Sequence, residues 1–535
     1  MKLNRRHFLG GSAALAGFGA MPAITRSAFA QSDDMLRMAF SARGNNTLDP
    51  AKSIQGSDEW SIIHIFDKLV ELPRGRFALD NSEFRPSLAT SWEVSEDSTA
   101  WTFQLREGVQ FHKGYGEMTS DDVVFTFERL LDPEQIGTRR VLFENISSIE
   151  AEGDYQVTFR LFTPDPLFLS GPLSSYASSI VPRAALEEKG EGFERDPIGT
   201  GPYVFERLDA DPSQGVIMVA NEDYFDGPPA MPRLQAQYIL DTTAHTLALM
   251  SGEVHMIEGV RGPGWVPSIQ QQNPNLLFDV ASPGSFFSLH LNLTYPDFED
   301  IRVRQALFYA IDRDEIAAAM APISQRTYGV LPPSFPGGFT DETIPDEIRY
   351  DYSVERAQQL LSEAGKEGLS FNCFTSQRED YSSVTLIVQE QLRRAGIDMQ
   401  LNIMDHTGYH AENNKGVNTL SQRSSAYPPV PTQPYLEMLS ADAAAKEDGS
   451  GGPNFSQYGV EMPGIDDLLD QANNEPDFDA RLELIRQMDE QVMSDAVYLP
   501  VSTNGYLIVR SPDVDLGYEM ESGFAHWRLD QARLT

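Results

Sequence analysis

The sequence predicts a mixed α/β fold, because segments with strand periodicity and segments with helix periodicity alternate along the chain. Apolar residues at every second position predict half-buried strands in three segments: 101–105, 155–161 and 287–293. Apolar residues spaced three and four apart predict amphipathic helices in four segments: 119–131, 300–320, 353–365 and 478–493. There is no long block of a single type, which favours mixed α/β over the all-α and all-β classes.

Local signals predict where several of these elements begin and end. Thr119 and Asp122 have the spacing of a capping box at the start of the first predicted helix. Ser353 is the predicted N-cap of the third helix, and Gly365 is its predicted end. Two stretches rich in proline, or in alanine, glycine and aspartate, predict loops: 427–434 and 441–453.

The charge balance is strongly acidic, with 41 lysines and arginines against 79 aspartates and glutamates and a net charge of −38. Such a surface repels phosphates and anionic lipids, which argues against nucleic acid and membrane surfaces as partners. Cys373 is the single cysteine, so no intramolecular disulfide can form and no zinc or iron–sulfur spacing exists. We expect it to be a small buried apolar side chain.

The N-terminus predicts export. Arg5 and Arg6 precede an apolar run rich in glycine and alanine, and a small-x-small cleavage site ends at Ala30. The arginine pair resembles a twin-arginine signal, and an ordinary secretory signal is the alternative. We expect cleavage after Ala30. No cysteine follows the run to carry a lipid anchor, and no later segment has 18 consecutive apolar residues, so we expect a periplasmic protein without membrane insertion.

Catalytic signatures are missing from the sequence. It contains no glycine-rich phosphate loop, nucleophile elbow or zinc-protease helix motif, so we predict no enzyme activity and no cofactor. His406 and His410 would share one helix face at a spacing that a divalent metal can use. The alternative is a pair of partly exposed histidines at a helix start, and we therefore predict no metal site.

Several sequence blocks occur in one order between residues 47 and 397. They are 47–50, 66–70, 86–92, 101–112, 119–125, 197–203, 221–225, 300–307, 310–313, 360–365 and 396–397. The blocks 101–112 (WTFQLREGVQFH) and 197–203 (PIGTGPY) are the most distinctive. With these blocks the chain resembles the extracellular solute-binding proteins of family 5, which include dipeptide, oligopeptide and nickel binders.

The resemblance implies a two-lobed α/β fold of the periplasmic-binding-protein type, with a hinge and an extra subdomain. The first lobe would have a core made from three segments: 31–75, 196–285 and 495–535. The extra subdomain would be 76–195 and the second lobe 286–494. The chain would cross between the lobes near 285–292 and 497–506.

The resemblance also implies the function. The chain would be the periplasmic substrate-binding component of an ABC importer, capturing a peptide or another small organic solute. It would act as a monomer and deliver the solute to the transmembrane subunits of a permease, while other subunits hydrolyse ATP. A ligand-sensing adaptor for a membrane receptor is one alternative, and a cofactor-containing secreted enzyme is another.

One stretch departs from the peptide binders of the family, which usually carry a tryptophan and then an aspartate for the peptide ammonium. This chain has SQRSSAYPP at 421–429 and no acid between Glu412 and Glu437. A buried ammonium without a carboxylate is costly, which argues against ordinary peptide capture. Arg423 suggests a ligand carboxylate or phosphate, and a solvent-exposed loop arginine is the alternative. The predicted ligand-binding residues are Arg423, Ser424, Ser425 and Tyr427, with Asn45, Asn46 and Tyr176 from the opposite lobe.

Overall fold

The structure is a computed structural model that describes residues 34–535 except 54–55, 79, 133–139, 210–214 and 524–527. The predicted signal peptide, with Arg5, Arg6 and the cleavage site after Ala30, lies outside the described residues. None of the described helices is long and apolar enough to cross a membrane.

Strands and helices alternate throughout the described part of the chain. The strands are β1 Met35–Phe40, β2 Val70–Glu71, β3 Arg85–Pro86, β4 Ala89–Val94, β5 Ala100–Leu105, β6 Ile146–Ala151, β7 Gln156–Leu161, β8 Tyr203–Leu208, β9 Val216–Ala220, β10 Arg233–Tyr238, β11 Met256–Glu258, β12 Leu277–Leu291, β13 Ser324–Arg326, β14 Ser370–Ser376, β15 Asp398–Met404, β16 Leu420–Ala426, β17 Tyr498–Arg510, β18 Val514–Asp515, β19 Ser522–Gly523 and β20 Arg533–Leu534. The helices are α1 Gly56–Ile65, α2 Ser120–Leu131, α3 Arg183–Lys189, α4 Thr242–Ser251, α5 Trp265–Gln272, α6 Ile301–Ala310, α7 Arg313–Ala319, α8 Val354–Ala364, α9 Glu379–Arg394, α10 His406–Asn414, α11 Gln433–Met438, α12 Asp466–Asn474 and α13 Phe478–Asp495.

A large mixed sheet runs through the molecule in the strand order β16-β12-β17-β11-β1-β10-β9-β8, with β13 added on β17 and β19 on β12. We call the side of β11, β1, β10, β9 and β8 the first lobe, together with the separate sheet β4-β5-β7-β6. The second lobe is the side of β16, with the parallel pair β14 and β15. The architecture confirms the predicted two-lobed α/β class. The exact residue bounds of the lobes stay a prediction.

Most of the local predictions are confirmed. The capping box of Thr119 and Asp122 begins α2, Ser353 caps α8 by accepting from the Arg356 backbone, and Gly365 ends α8 in the left-handed conformation. The segment 300–320 forms two helices instead of one, because Asp312 accepts from the backbone of Glu315 and starts α7 there.

Two glycines face each other in the two-stranded ribbon of β12 and β17, where the strands are out of regular register between Ala281 and Ser285. Gly284 has φ +60°, and a Cβ there would collide with the backbone oxygen of Asn504. On the other strand, a Cβ on Gly505 would collide with the Val280 side chain. Only glycine allows the two backbones to approach so closely, so this point is the natural place for the ribbon to bend.

We predict that Gly284→Ala destabilises the protein more than Gly108→Ala does. Gly108 has φ +77° and no atom within 4 Å of the position that a Cβ would take, so its substitution costs only the backbone strain of about 1–2 kcal/mol. Gly284→Ala adds the collision with Asn504. Urea unfolding of both variants measures the difference, and equal losses of unfolding free energy would contradict the close approach.

The C-terminal segment is fixed to the first lobe by buried charges. Asp67 accepts hydrogen bonds from the Thr200 hydroxyl at 2.9 Å and the Tyr224 hydroxyl at 3.0 Å. The guanidinium of Arg528 forms ion pairs with both Asp67 and Glu71. These bonds satisfy charges that would otherwise be buried without partners. They hold the chain end against the segment that follows α1.

His64 lies in the same region and is fully buried. Its Nδ1 is 2.6 Å from the Trp60 carbonyl oxygen, and its Nε2 accepts from the Leu529 backbone N–H at 2.8 Å. An Nε2 that accepts a hydrogen bond carries no proton, so this geometry requires the neutral ring. Burial lowers the pKa of His64 from 6.5 to about 3.

We therefore predict that His64 makes the protein less stable in mild acid. Below pH 6.5 the unfolded chain binds a proton at this histidine that the folded chain does not bind. The free energy of unfolding that depends on neutral His64 is fully present above pH 6.5. It falls by about 1.4 kcal/mol per pH unit as the pH drops from 6.5 towards 3. His64→Gln should lower Tm at pH 7.5 and make Tm less dependent on pH between 6.5 and 4.5. Parallel pH curves for the variant and the wild type would refute this.

Candidate ligand-binding site

The stretch that we expected to be a ligand-facing loop forms strand β16 as far as Ala426. It pairs with β12 in antiparallel fashion, with Arg423 opposite Ser288 and Ser425 opposite Phe286. Neighbouring side chains on a strand point to opposite faces. Arg423 and Ser425 therefore share one face of the sheet, and Ser424 lies on the other.

Arg423 is half-buried and forms no ion pair with any residue that the structure describes. Its Nε is buried without a hydrogen-bond acceptor. The guanidinium carbon lies 6.0 Å from the centre of the Phe455 ring, close enough for a weak cation–π attraction. A guanidinium that has lost part of its hydration without gaining a carboxylate is suited to binding an anion.

Tyr427 lies beside Arg423 and is only 3% exposed. Its ring packs edge-on against Phe286, with 5.1 Å between the ring centres. Burial raises the pKa of the Tyr427 hydroxyl, and the Arg423 charge partly opposes this. The hydroxyl stays protonated at neutral pH and can donate a hydrogen bond.

The structure does not gather the other three predicted residues around Arg423. Asn45 and the backbone N–H of Asn46 donate to the same Asp58 oxygen at 3.1 and 3.0 Å. Both asparagines line a cavity of about 640 Å³ whose described lining lies entirely in the first lobe. Tyr176 lines a smaller cavity of about 60 Å³ beside Arg528. A role of Asn45, Asn46 and Tyr176 in ligand binding stays a prediction.

A cavity of about 300 Å³ lies between the lobes, and sequence reasoning missed its charged residues. Glu258 and Arg261 contribute from the first lobe and Arg378 from the second. Arg261 is 3.6 Å from Glu258, and its guanidinium carbon is 5.4 Å from the centre of the Tyr506 ring. The cavity therefore combines two cations with one carboxylate.

Strand directions explain why these residues meet. β1 and β11 are parallel, and Glu258 is the last residue of β11. β14 and β15 are parallel, and Arg378 follows the end of β14. Ligands in α/β sheets bind outside the carboxyl ends of parallel strands. A polar residue just after each parallel strand is the signal that could have identified Arg378 from the sequence.

His406 and His410 lie on α10 with their ring centres 4.5 Å apart. His406 contacts Arg378, with 3.3 Å between Nε2 and Nη1. Burial, together with the charges of His406, Arg423 and Arg378, lowers the pKa of His410 to about 4. Both arginines are thus near His410. Among the described residues, no group of three or more histidines, cysteines or acids could hold a metal.

Solved structures of similar fold cover almost the whole chain. MoaA of A. tumefaciens R10, solved with mannopinic acid, matches with a TM-score of 0.76 and 26% identity over 94% of this chain and 100% of that one. DppA of Helicobacter pylori, solved with the peptide STSA, matches with a TM-score of 0.74 and 25% identity over 94% and 98% of the two chains.

Sequence relatives agree with these structures. The oligopeptide-binding protein AppA of Bacillus subtilis (strain 168) is 31% identical over 342 residues, which are 60% of this chain and 61% of AppA, so the match spans less than two thirds of that relative. The dipeptide-binding protein of Escherichia coli (strain K12) is 27% identical over 458 residues, 80% and 81% of the two chains. Residues 83–446 match the model of the bacterial extracellular solute-binding proteins, family 5 Middle, and the chain belongs to this family.

Proposed function

We propose that the chain is the periplasmic solute-binding component of an ABC importer and captures a small organic solute with at least one acidic group. The acidic group on the solute is proposed because of Arg423, which is half-buried and has no ion pair among the described residues. A carboxylate of the solute would form an ion pair with Arg423. Membership in a family of binding proteins supports capture without catalysis.

The cavity between the lobes supports the same class of solute. Arg261 and Arg378 outnumber Glu258, so its described lining carries a net positive charge. Glu258 is 3.6 Å from Arg261, which already neutralises much of its charge.

The same charges provide a physical reason for ligand-dependent closure. Arg261 and Arg378 belong to different lobes, so closing brings two positive charges towards each other. An anion that contacts groups of both lobes binds the closed form more tightly than the open form, because only the closed form offers both contacts. The solute shifts the population towards the closed form, which would then dock on the transmembrane subunits of the permease.

We predict that an acidic solute such as mannopinic acid stabilises the mature chain and that Arg423→Ala removes most of this effect. At 100 times its dissociation constant a true ligand adds about 2.7 kcal/mol, which in a chain of this size raises Tm by a few degrees. Arg423→Ala should leave the ligand-free Tm nearly unchanged. Thermal shift and calorimetric titration measure both effects.

Arg160→Ala is the matched control, because Arg160 is 54% exposed and, among the residues that the structure describes, pairs only with Glu150 on the surface. It should bind the solute as the wild type does. Mass spectrometry of any solute released on denaturation identifies candidates independently of the chosen acid. If simple dipeptides give the full rise in Tm and Arg423→Ala still binds them, the proposal of an acidic solute is wrong and the protein is an ordinary peptide binder.

Export provides a separate prediction. Replacing Arg5 and Arg6 together by lysine should abolish periplasmic delivery, because the twin-arginine pathway recognises the arginine pair. Fractionation followed by immunoblotting measures delivery, and mass analysis should find Gln31 as the mature N-terminus. Normal delivery of the double variant would show a general secretory signal instead.

A further inference from the structure

A second cavity between the lobes, of about 200 Å³, shares no lining residue with the cavity of Arg261 and Arg378. The first lobe contributes Phe84 and Leu167 to its wall, and the second lobe contributes Pro429, Pro431 and Phe478. An apolar protein cavity of about 150 Å³ can hold a benzene molecule. This cavity therefore has room for one six-membered ring with a small substituent.

Phenylalanine and proline rings form most of the apolar part of the wall, and its polar part consists of Asp80, Asn81, Ser170 and Arg481. Aromatic rings pack well against other rings in offset or edge-on arrangements. Phe84 is 5% exposed, and Pro429 and Pro431 are also buried. A planar ring placed between the two lobes would contact apolar surface on both of its faces.

Arg481 gives this cavity a charge. Its side chain lines the cavity although the residue is only 5% exposed. Its Nε and Nη2 donate to the Glu475 backbone oxygen at 2.9 and 2.6 Å, whereas its Nη1 donates to no described residue. It forms no ion pair with a described acid, and Asp165, Glu475 and Asp477 lie near enough to influence its titration. One edge of a buried guanidinium is thus available to an anion.

The acids around the cavity restrict where that anion can lie. Asp80 also lines the wall, but its Oδ1 accepts from the Ser82 backbone N–H and caps its own short helix. Asp165 caps the turn at Leu167 through the backbone N–H at 2.9 Å. An acidic group must therefore approach on the Arg481 side, with the ring directed towards Phe84 and the prolines.

We propose that this cavity is a second binding site, which takes an aromatic carboxylate with its ring between the lobes and its carboxylate on Arg481. Both lobes form the wall, so the site is complete only when they are together. An aromatic acid bound there favours the closed form and couples to solute capture at the other cavity. The inference does not depend on which solute the protein transports.

The test uses 4-fluorobenzoate and the mature full-length protein. We expect ¹⁹F NMR titration to show saturable binding that Arg481→Met weakens at least tenfold. Ala78→Leu should abolish binding by filling the cavity from the first lobe, where Ala78 is 2% exposed. Acetate, which has the charge without the ring, should not bind at the same concentration.

Two further measurements separate this site from the proposed solute site. Arg423 does not line the cavity, so Arg423→Ala should change the dissociation constant of the probe less than twofold. Crystals soaked in 4-bromobenzoate should show an anomalous bromine peak between Phe84 and Phe478, whether or not the variants fold. Absence of that peak, equal binding of acetate, or loss of binding only in Arg423→Ala would overturn the proposal.

Discussion

The pairing of β12 with β17 is the constraint on which both halves of the candidate ligand site depend. The two strands pair from Leu277 opposite Arg510 to His290 opposite Tyr498, with an irregularity between Ala281 and Ser285. One end of this ribbon pairs with β11, which ends at Glu258, and the other end pairs with β16, which carries Arg423. A bend in the ribbon therefore changes the distance between the two groups without breaking the sheet within either lobe.

Buried charges keep the first lobe rigid while the ribbon bends. Arg528 reaches back to Asp67 and Glu71 from the segment that follows β17. Buried ion pairs contribute little net stability, but breaking one leaves an uncompensated charge, so alternative arrangements of the segment are strongly disfavoured. These ion pairs therefore favour a first lobe that keeps its shape. The strain of closure falls on the ribbon, where Gly284 and Gly505 allow close backbone contact.

Periodicity and capping signals predicted the fold well because they are local. Trp101 and Phe103 alternate with polar residues, and Ser353 and Gly365 mark the ends of α8 by their own chemistry. The site was harder to predict because it is made by pairing between distant segments. β16 is polar and shows no clear strand pattern, and it is extended because β12 provides its hydrogen bonds, which outweigh its weak propensity. Arg378 can be identified as a candidate site residue only once β14 and β15 are known to be parallel.

The protein as a whole is strongly acidic, whereas the cavity between the lobes is lined by Arg261 and Arg378 together with Glu258. A net charge of −38 repels an anion at long range, so the surface cannot steer an acidic solute towards the site. At physiological salt this repulsion is screened beyond about 8 Å, and the arginines of the cavity between the lobes act within that range. Selectivity for the proposed acidic solute would then come from short contacts made after entry, where Arg261 and Arg378 lie in different lobes. An anion too small to reach both would bind one lobe only and leave the ratio of open to closed forms unchanged, so the proposed site would discriminate by closure as well as by charge.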